Sequence, residues 1–200
     1  MSESDKKRLL SLELVPESMP GLFDRRRNLD DDVALAALKL LRLKYPQVGG
    51  LSSVLLALRP QDRTRNHPIA AELFHCYPSY HYVAAVLTTP DVVLYMDSLN
   101  PGSKPKTQVI SQIEASFQLS KKYTIRSLLG QRQRLSDCLP FAVANLDVTL
   151  AGGDVSKVQF NTNLIRPHLV KSLIQQELSY PNRKIKSRGN AVRYNRQLGK

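Results

Sequence analysis

Cysteine and tryptophan are the scarcest residues of this 200-residue chain, which has two cysteines and no tryptophan. Two cysteines without a framework spacing argue against a scaffold held together by disulfides. No apolar run approaches the roughly 18 to 20 residues that a membrane span needs, and the charged N-terminus lacks the apolar core of a signal peptide. We therefore expect an intracellular protein with reduced thiols and no membrane contact.

Two further absences narrow the range of reactions that the chain could carry out. The four histidines are His67, His75, His81 and His168, and no pair of them has the spacing of a zinc site. The sequence also has no glycine-rich phosphate loop and no internal repeat. We therefore expect neither a metal nor a cofactor. The content of hydrophobic residues, 42%, is that of a globular chain whose length fits one domain with tails.

Acidic residues are missing from the end of the chain, although the formal net charge of the whole is +12. The last twenty residues carry seven cations: Arg183, Lys184, Lys186, Arg188, Arg193, Arg196 and Lys200. Such a segment is typical of a solvated tail, of contact with nucleic acid or another anionic surface, or of a nuclear address. A second basic cluster, Arg25 to Arg27, allows the same three interpretations.

Hydrophobic periodicity predicts an α+β fold in which helices flank a central group of strands. The predicted helices cover 31–44, 107–119, 138–151 and 163–178, and the predicted strands cover 70–79, 81–90, 91–99 and 123–130. The segment 51–60 fits a short helix or a buried extended piece. Because helices and strands do not alternate strictly, the pattern does not predict a doubly wound parallel sheet.

Cys138 lies at the start of a predicted apolar helix. Ser136 and Asp137 are helix-start residues, and Pro140 is tolerated only in a first helical turn. The unpaired N–H groups at a helix N-terminus favour negative charge, so this placement promotes the thiolate, which is the nucleophilic form of cysteine. The alternative is that Cys138 is a small buried hydrophobic residue.

A catalytic cysteine needs a histidine as base and a third group to orient that histidine. His81 begins one predicted strand and Asp97 ends the next, so an antiparallel hairpin would bring the two side chains together at its open end. A side-chain amide shortly before the nucleophile, from Gln131 or Gln133, would supply a donor to an oxyanion hole.

The order histidine, aspartate, glutamine, aspartate–cysteine resembles the SUMO-protease family of cysteine peptidases, to which the adenovirus protease is distantly related. The words "NLDDDVALAALKLL", "HYV" and "LYMDSL" resemble the family's own motifs. The words "SDCLPFAVANLDVTLAGGDVSKVQF" and "LIRPHL" resemble the form of the domain found in animal mobile elements. The resemblance runs from about Asn28 to Pro181.

This resemblance implies a papain-like cysteine peptidase fold with rearranged chain order, in which helices flank a central mixed sheet. It divides the chain into an N-terminal extension (1–27), a peptidase domain (28–181) and a basic tail (182–200). His81, Asp97, Cys138 and Gln131 take the catalytic positions, with Gln131 preferred to Gln133 because the family's glutamine precedes the cysteine by six or seven residues. The implied activity is a thiol-dependent peptidase or isopeptidase.

The implied substrate is the C-terminus of a ubiquitin-like protein, or a viral or mobile-element polyprotein. Leu139 follows Cys138 where the family has glycine, and Asn28 and Tyr82 stand where it has tryptophan. These departures motivate one alternative, a catalytically weak or inactive module of the same fold that binds a ubiquitin-like protein or nucleic acid. Another is a protein whose main contact is nucleic acid bound by its basic tail, in the nucleus.

Overall fold

The computed structural model describes residues 1–52, 67–119, 122–134 and 136–179, together with the backbone of 183–185. In these residues the helices are α1 (Glu3–Ser11), α2 (Met19–Phe23), α3 (Asp31–Lys44), α4 (Thr107–Phe117), α5 (Cys138–Leu150) and α6 (Ile165–Gln175). The strands are β1 (Gly49–Gly50), β2 (Ala70–Cys76), β3 (His81–Thr89), β4 (Val92–Met96), β5 (Thr124–Ser127), β6 (Val158–Phe160) and β7 (Arg183–Ile185). The predicted segment 51–60 falls mostly outside the described residues, as does the tail from 186 onwards.

The central sheet has the strand order β1-β2-β3-β4-β5. The inner pairs β2–β3 and β3–β4 are antiparallel, whereas the edge strands β1 and β5 run parallel to their neighbours. A separate antiparallel pair joins β6 to β7. The sheet is therefore mixed, as predicted, and the α+β assignment is confirmed.

Helix α3 has the boundaries predicted from the sequence, and the residues at its two ends explain why. The side chain of Asp30 accepts a hydrogen bond from the N–H of Val33 and caps the first turn. Acidic residues occupy that turn and basic residues the last, which suits the helix dipole. Pro46 lies just beyond the end of the helix, where it cannot continue the hydrogen-bond ladder.

The two faces of the sheet bury two hydrophobic cores, because successive strand residues point to opposite sides. Helix α4 covers one face and packs there against residues such as Phe74 and Val83. Helices α3, α5 and α6 cover the other face and enclose the larger core. Helix α5 is buried over its whole circumference from Cys138 to Val148, so it occupies the centre of that core.

The N-terminal segment belongs to the larger core. Leu9, Leu14 and Leu22 are fully or almost fully buried there, and helices α1 and α2 both contact α6. The boundary predicted at residue 28 is where the resemblance begins, and these two short helices lie before it. The packing extends the unit N-terminally of that boundary.

Candidate active site

The hairpin of β3 and β4 brings His81 and Asp97 together. Its register pairs Ala84 with Met96, so Asp97 follows directly at the end of the hairpin where β3 begins. The distance from Nε2 of His81 to Oδ1 of Asp97 is 2.7 Å. The sequence therefore placed these two residues correctly relative to each other.

Asp97 is a fixed hydrogen-bond acceptor. Its Oδ1 also accepts from the backbone N–H groups of Leu99 at 2.8 Å and Asn100 at 3.1 Å. Burial raises the pKa of this carboxyl group, but the hydrogen bond and charge of His81 and the two N–H groups outweigh burial, so the net pKa is lowered. Asp97 is consequently ionised and holds the ring of His81 in one orientation.

His81 is stabilised as an imidazolium. Burial lowers its pKa, but hydrogen bonds to Asp97 and Cys138, with the negative charge that each can carry, raise the pKa to about 9. The residue is only 6% exposed, so solvent screens these interactions weakly. A protonated histidine between a carboxylate and a thiol is the arrangement that a thiolate–imidazolium pair requires.

Cys138 is the first residue of α5, as predicted from Ser136, Asp137 and Pro140. Helix α5 packs against β3, which brings the thiol to the strand end that carries His81. The Sγ atom of Cys138 lies 3.9 Å from the carbonyl oxygen of Tyr80, the residue before His81. Asp97, His81 and Cys138 thus form a connected series of side chains at a helix N-terminus.

The two candidate glutamines have different surroundings. The amide of Gln131 exchanges two hydrogen bonds with the backbone of Phe160 in β6, at 2.6 and 3.1 Å, so both of its polar atoms are engaged there. The Oε1 atom of Gln133 accepts from the hydroxyl of Ser98 at 2.6 Å, and its backbone N–H donates to the Ser98 carbonyl at 2.7 Å. Gln133 is thereby attached to the residue that follows Asp97.

A polar cleft of about 510 Å³ opens beside this loop. Its walls are Gln131, Arg132, Gln133, Arg134 and the facing residues 159–162. The cleft brings backbone and amide groups to the same end of the sheet as the three connected side chains.

Tyr82 stands where the resembled family has tryptophan. It is only 2% exposed, its hydroxyl donates to Oδ1 of Asp31, and its ring stacks on that of His75 with centroids 4.8 Å apart. Asn28, at the other tryptophan position, is exposed. Neither residue presents a free aromatic face, so a substrate would meet different surroundings here from those that two tryptophans provide.

Cys76 is the second thiol near the site, because the β2–β3 register pairs it with His81. Burial, together with the charge of Asp97, raises the pKa of Cys76 to about 12. This thiol therefore stays protonated at neutral pH. In the described part of the chain no group of three or more potential ligands is placed to hold a metal ion, and no helix there is long and apolar enough to cross a membrane.

Sequence reasoning missed three residues that the structure connects to Cys138. Asp137 is fully buried and forms ion pairs with Arg25 and Arg166. Asp137 was noted only as a helix-start residue, Arg25 only as part of a basic cluster, and Arg166 only within the "LIRPHL" resemblance. The arginines are 112 and 29 residues from Asp137 along the chain, so no local pattern could have paired them with it.

Comparison with solved structures identifies the fold. No protein-family model matches the chain, and no curated protein sequence matches it. The C-terminal Ulp1 protease domain, solved in complex with SMT3, the yeast ortholog of SUMO, superposes with a TM-score of 0.61 at 12% identity, covering 90% of this chain and 97% of that one. SUMO protease Ulp1 with its catalytic cysteine oxidised to a sulfenic acid gives a TM-score of 0.63 at 14% identity, with the same coverage.

A third similar structure is the catalytic domain of a Ulp1-like SUMO protease from Chaetomium thermophilum. It has a TM-score of 0.58 at 14% identity and covers 90% of this chain and 91% of that one. The chain therefore has the fold of the Ulp1-like SUMO proteases, and the fold predicted from the sequence resemblance is confirmed.

Proposed function

We propose that the protein is a thiol-dependent peptidase or isopeptidase that cleaves after the C-terminal tail of a ubiquitin-like protein. The observation that carries this proposal is the connected series of Asp97, His81 and Cys138 at the N-terminus of a buried helix. The Ulp1-like fold supports it, because two similar structures are Ulp1 proteases, one in complex with SMT3, the yeast ortholog of SUMO, and one with its catalytic cysteine oxidised to a sulfenic acid.

The reaction follows from the positions of these groups. The thiolate of Cys138 attacks the scissile carbonyl carbon, and the tetrahedral intermediate collapses to a thioester as His81 donates its proton to the leaving amine. His81 then takes a proton from water, whose oxygen attacks the thioester carbon, and Cys138 leaves as the thiolate. Asp97 keeps the ring of His81 oriented in both steps.

The developing oxyanion needs hydrogen-bond donors. We assign one to the backbone N–H of Cys138 at the start of α5 and the other to a side-chain amide of the loop before Cys138. The resemblance favours Gln131, whose amide binds the backbone of β6. Gln133, whose amide oxygen accepts from the Ser98 hydroxyl beside Asp97, is the alternative.

Reaction with activity probes tests the proposal. SUMO, ubiquitin and related proteins that carry a C-terminal electrophile should form a covalent adduct on Cys138 with at least one of them. Cys138→Ala should abolish the adduct, whereas Cys76→Ala should leave it, since Cys76 is held as a thiol. Absence of any adduct with a folded protein would contradict the activity on ubiquitin-like tails, and a polyprotein substrate would then be the next to test.

The second candidate function is a binding module of the same fold with little or no activity. It is favoured by the buried, tethered ring of Tyr82 and by Leu139 after the nucleophile, both of which depart from the resembled family. Calorimetry with unmodified SUMO and ubiquitin distinguishes the two functions. Tight binding by a protein whose Cys138 forms no adduct would support the module, and an adduct would exclude it.

A further inference from the structure

We infer that Arg25 and Arg166 are positioning residues for Cys138, acting through the buried carboxylate of Asp137, and that residues 21–27 are therefore part of the active site. This inference rests on the proposed role of Cys138 as the nucleophile. It goes beyond the three connected side chains because it concerns what keeps the N–H groups at the start of α5 accessible to a negative charge.

Asp137 is an N-cap residue whose side chain does not cap its helix. Aspartate at this position usually accepts a hydrogen bond from the N–H groups of the first turn, but the carboxylate of Asp137 makes no such bond. Its Oδ1 accepts from Nε of Arg166 and its Oδ2 from Nη2 of Arg25, each at 2.8 Å. The two arginines hold the carboxylate away from the N–H groups that a thiolate or an oxyanion would use.

Arg166 fastens the loop before Cys138 to the N-terminal segment. It is 1% exposed, and its Nη1 donates to the carbonyls of Gly21 at 3.1 Å and Asp24 at 2.8 Å. Its Nη2 donates to the carbonyls of Arg27 at 3.0 Å and Ser136 at 2.5 Å. With Nε on Asp137, all five N–H donors of the guanidinium have acceptors, a planar fork that lysine cannot reproduce.

Arg25 links the same carboxylate to the loop that precedes α6. Its Nη2 also donates to the carbonyl of Thr162 at 2.8 Å, and the side chain is 30% exposed, so part of it reaches solvent. Two guanidinium groups face one carboxylate, which leaves one excess positive charge beside the start of α5. Positive charge there stabilises negative charge that develops at the start of α5, in the same sense as the helix dipole.

The test compares Arg25 variants with a matched ion pair on the same helix. Lys44 donates from Nζ to Oδ1 of Asp147 at 2.6 Å, three residues before the end of α5 and away from Cys138. Arg25→Gln, Arg25→Lys and Lys44→Gln are made in the full chain. The rate of Cys138 alkylation by iodoacetamide is followed by peptide mass spectrometry well below the Tm of each variant, and the rate of adduct formation with electrophile probes is measured in parallel.

We expect Arg25→Gln to slow alkylation of Cys138 on the order of tenfold, the size of effect that one nearby charge commonly has on an ionisable group. Arg25→Lys should recover most of the rate, because it restores the charge. Lys44→Gln should lower Tm and leave the alkylation rate within about twofold of the original, since it removes an ion pair without altering the N-terminus of the helix.

Unchanged alkylation in Arg25→Gln, or an equal loss in Lys44→Gln at a similar Tm, would overturn the inference and leave a purely structural role. Alkylation needs no protein substrate, so the outcome is independent of the proposed function. If the original protein forms no probe adduct while Arg25→Gln still slows alkylation, the proposed function fails and the positioning role stands. If probes react but Arg25→Gln alters neither rate, the positioning role fails and the proposed function stands.

Discussion

Replacement of Asp97 by asparagine should lower the pKa of His81 and remove its pH-dependent contribution to stability. The substitution keeps the shape of the side chain but removes the charge that faces Nε2 of His81 at 2.7 Å. Burial, which lowers the pKa of the imidazole, would then be opposed only by Cys138. We expect the titration midpoint of His81 to fall from about 9 towards the ordinary value of 6.5.

The size of the effect follows from the linkage between protonation and folding. The folded-state pKa of His81 is raised from 6.5 to about 9, which corresponds to about 3 kcal/mol of unfolding free energy. Because the pKa is raised, this contribution is fully present below pH 6.5 and is lost as the pH rises through 9. Asp97→Asn should therefore reduce the unfolding free energy most at pH 6 and hardly at all near pH 10.

Two measurements check this prediction. Imidazole resonances in heteronuclear NMR report the midpoint of His81 directly, and urea unfolding at pH 6 and pH 10 reports the free energy. Probe adduct formation should also fall roughly tenfold or more, because an unoriented histidine is a poor catalyst. A midpoint near 6.5 in the original protein, or equal destabilisation at both pH values, would refute the reasoning.

The other predictions concern the thiols, the glutamines and the tail. At pH 8 iodoacetamide should modify Cys138 roughly a hundredfold or more faster than Cys76, whose pKa is about 12, and similar rates would contradict an activated nucleophile. Of Gln131→Ala and Gln133→Ala, the variant that removes the oxyanion donor should lower turnover about 10²- to 10³-fold, whereas the other should cost about 1 kcal/mol of stability with a smaller kinetic effect, and equal kinetic losses would contradict a single side-chain donor. Deleting residues 186–200 should weaken DNA binding and reduce the salt slope of log K by up to about 4.5, from five cations, while an unchanged binding curve would place the contact elsewhere.

The sequence was most informative where local chemistry determines geometry. The turn around Pro90 and Asp91 joins β3, which is buried over most of its length, to β4, and the antiparallel pairing of the two strands leaves His81 and Asp97 at the same end. The start of α5 could also be predicted from the sequence, because Pro140 fits only in the first turn of a helix. For these residues the local sequence pattern was sufficient to predict where they lie in the fold.

The glutamines show the limit of counting along the chain. Residues 131–134 form neither helix nor strand, so their side chains follow no period that could tell which amide faces Cys138. The preference for Gln131 came from its distance to Cys138 in the sequence. What separates the two residues is a tertiary contact, to β6 for Gln131 and to Ser98 for Gln133, and such contacts are not visible in spacing.

The basic cluster Arg25 to Arg27 allowed three interpretations, a solvated segment, a contact for nucleic acid or another anionic surface, and a nuclear address, and the structure uses its first member internally. Arg25 pairs with Asp137, and Arg27 lies 3.4 Å from Asp24 in a local ion pair. Net charge alone cannot distinguish a cation that faces solvent from one that neutralises a buried carboxylate. Arg26, the third arginine, is exposed, and its side chain forms no ion pair with the residues that the structure describes.

Helix α5 is held at both ends by cations from the N-terminal part of the chain. Asp137 at its start pairs with Arg25, and Asp147 near its end pairs with Lys44. A chain beginning at residue 28, the boundary that motifs alone suggest, would lose Arg25 and the three carbonyls of residues 21–27 that Arg166 binds. Arg166 would then keep only Asp137 and Ser136 as acceptors, and each buried donor left unpaired costs about 1–3 kcal/mol. The helix that begins at Cys138, the proposed nucleophile, therefore depends on residues that precede every motif by which the fold is recognised.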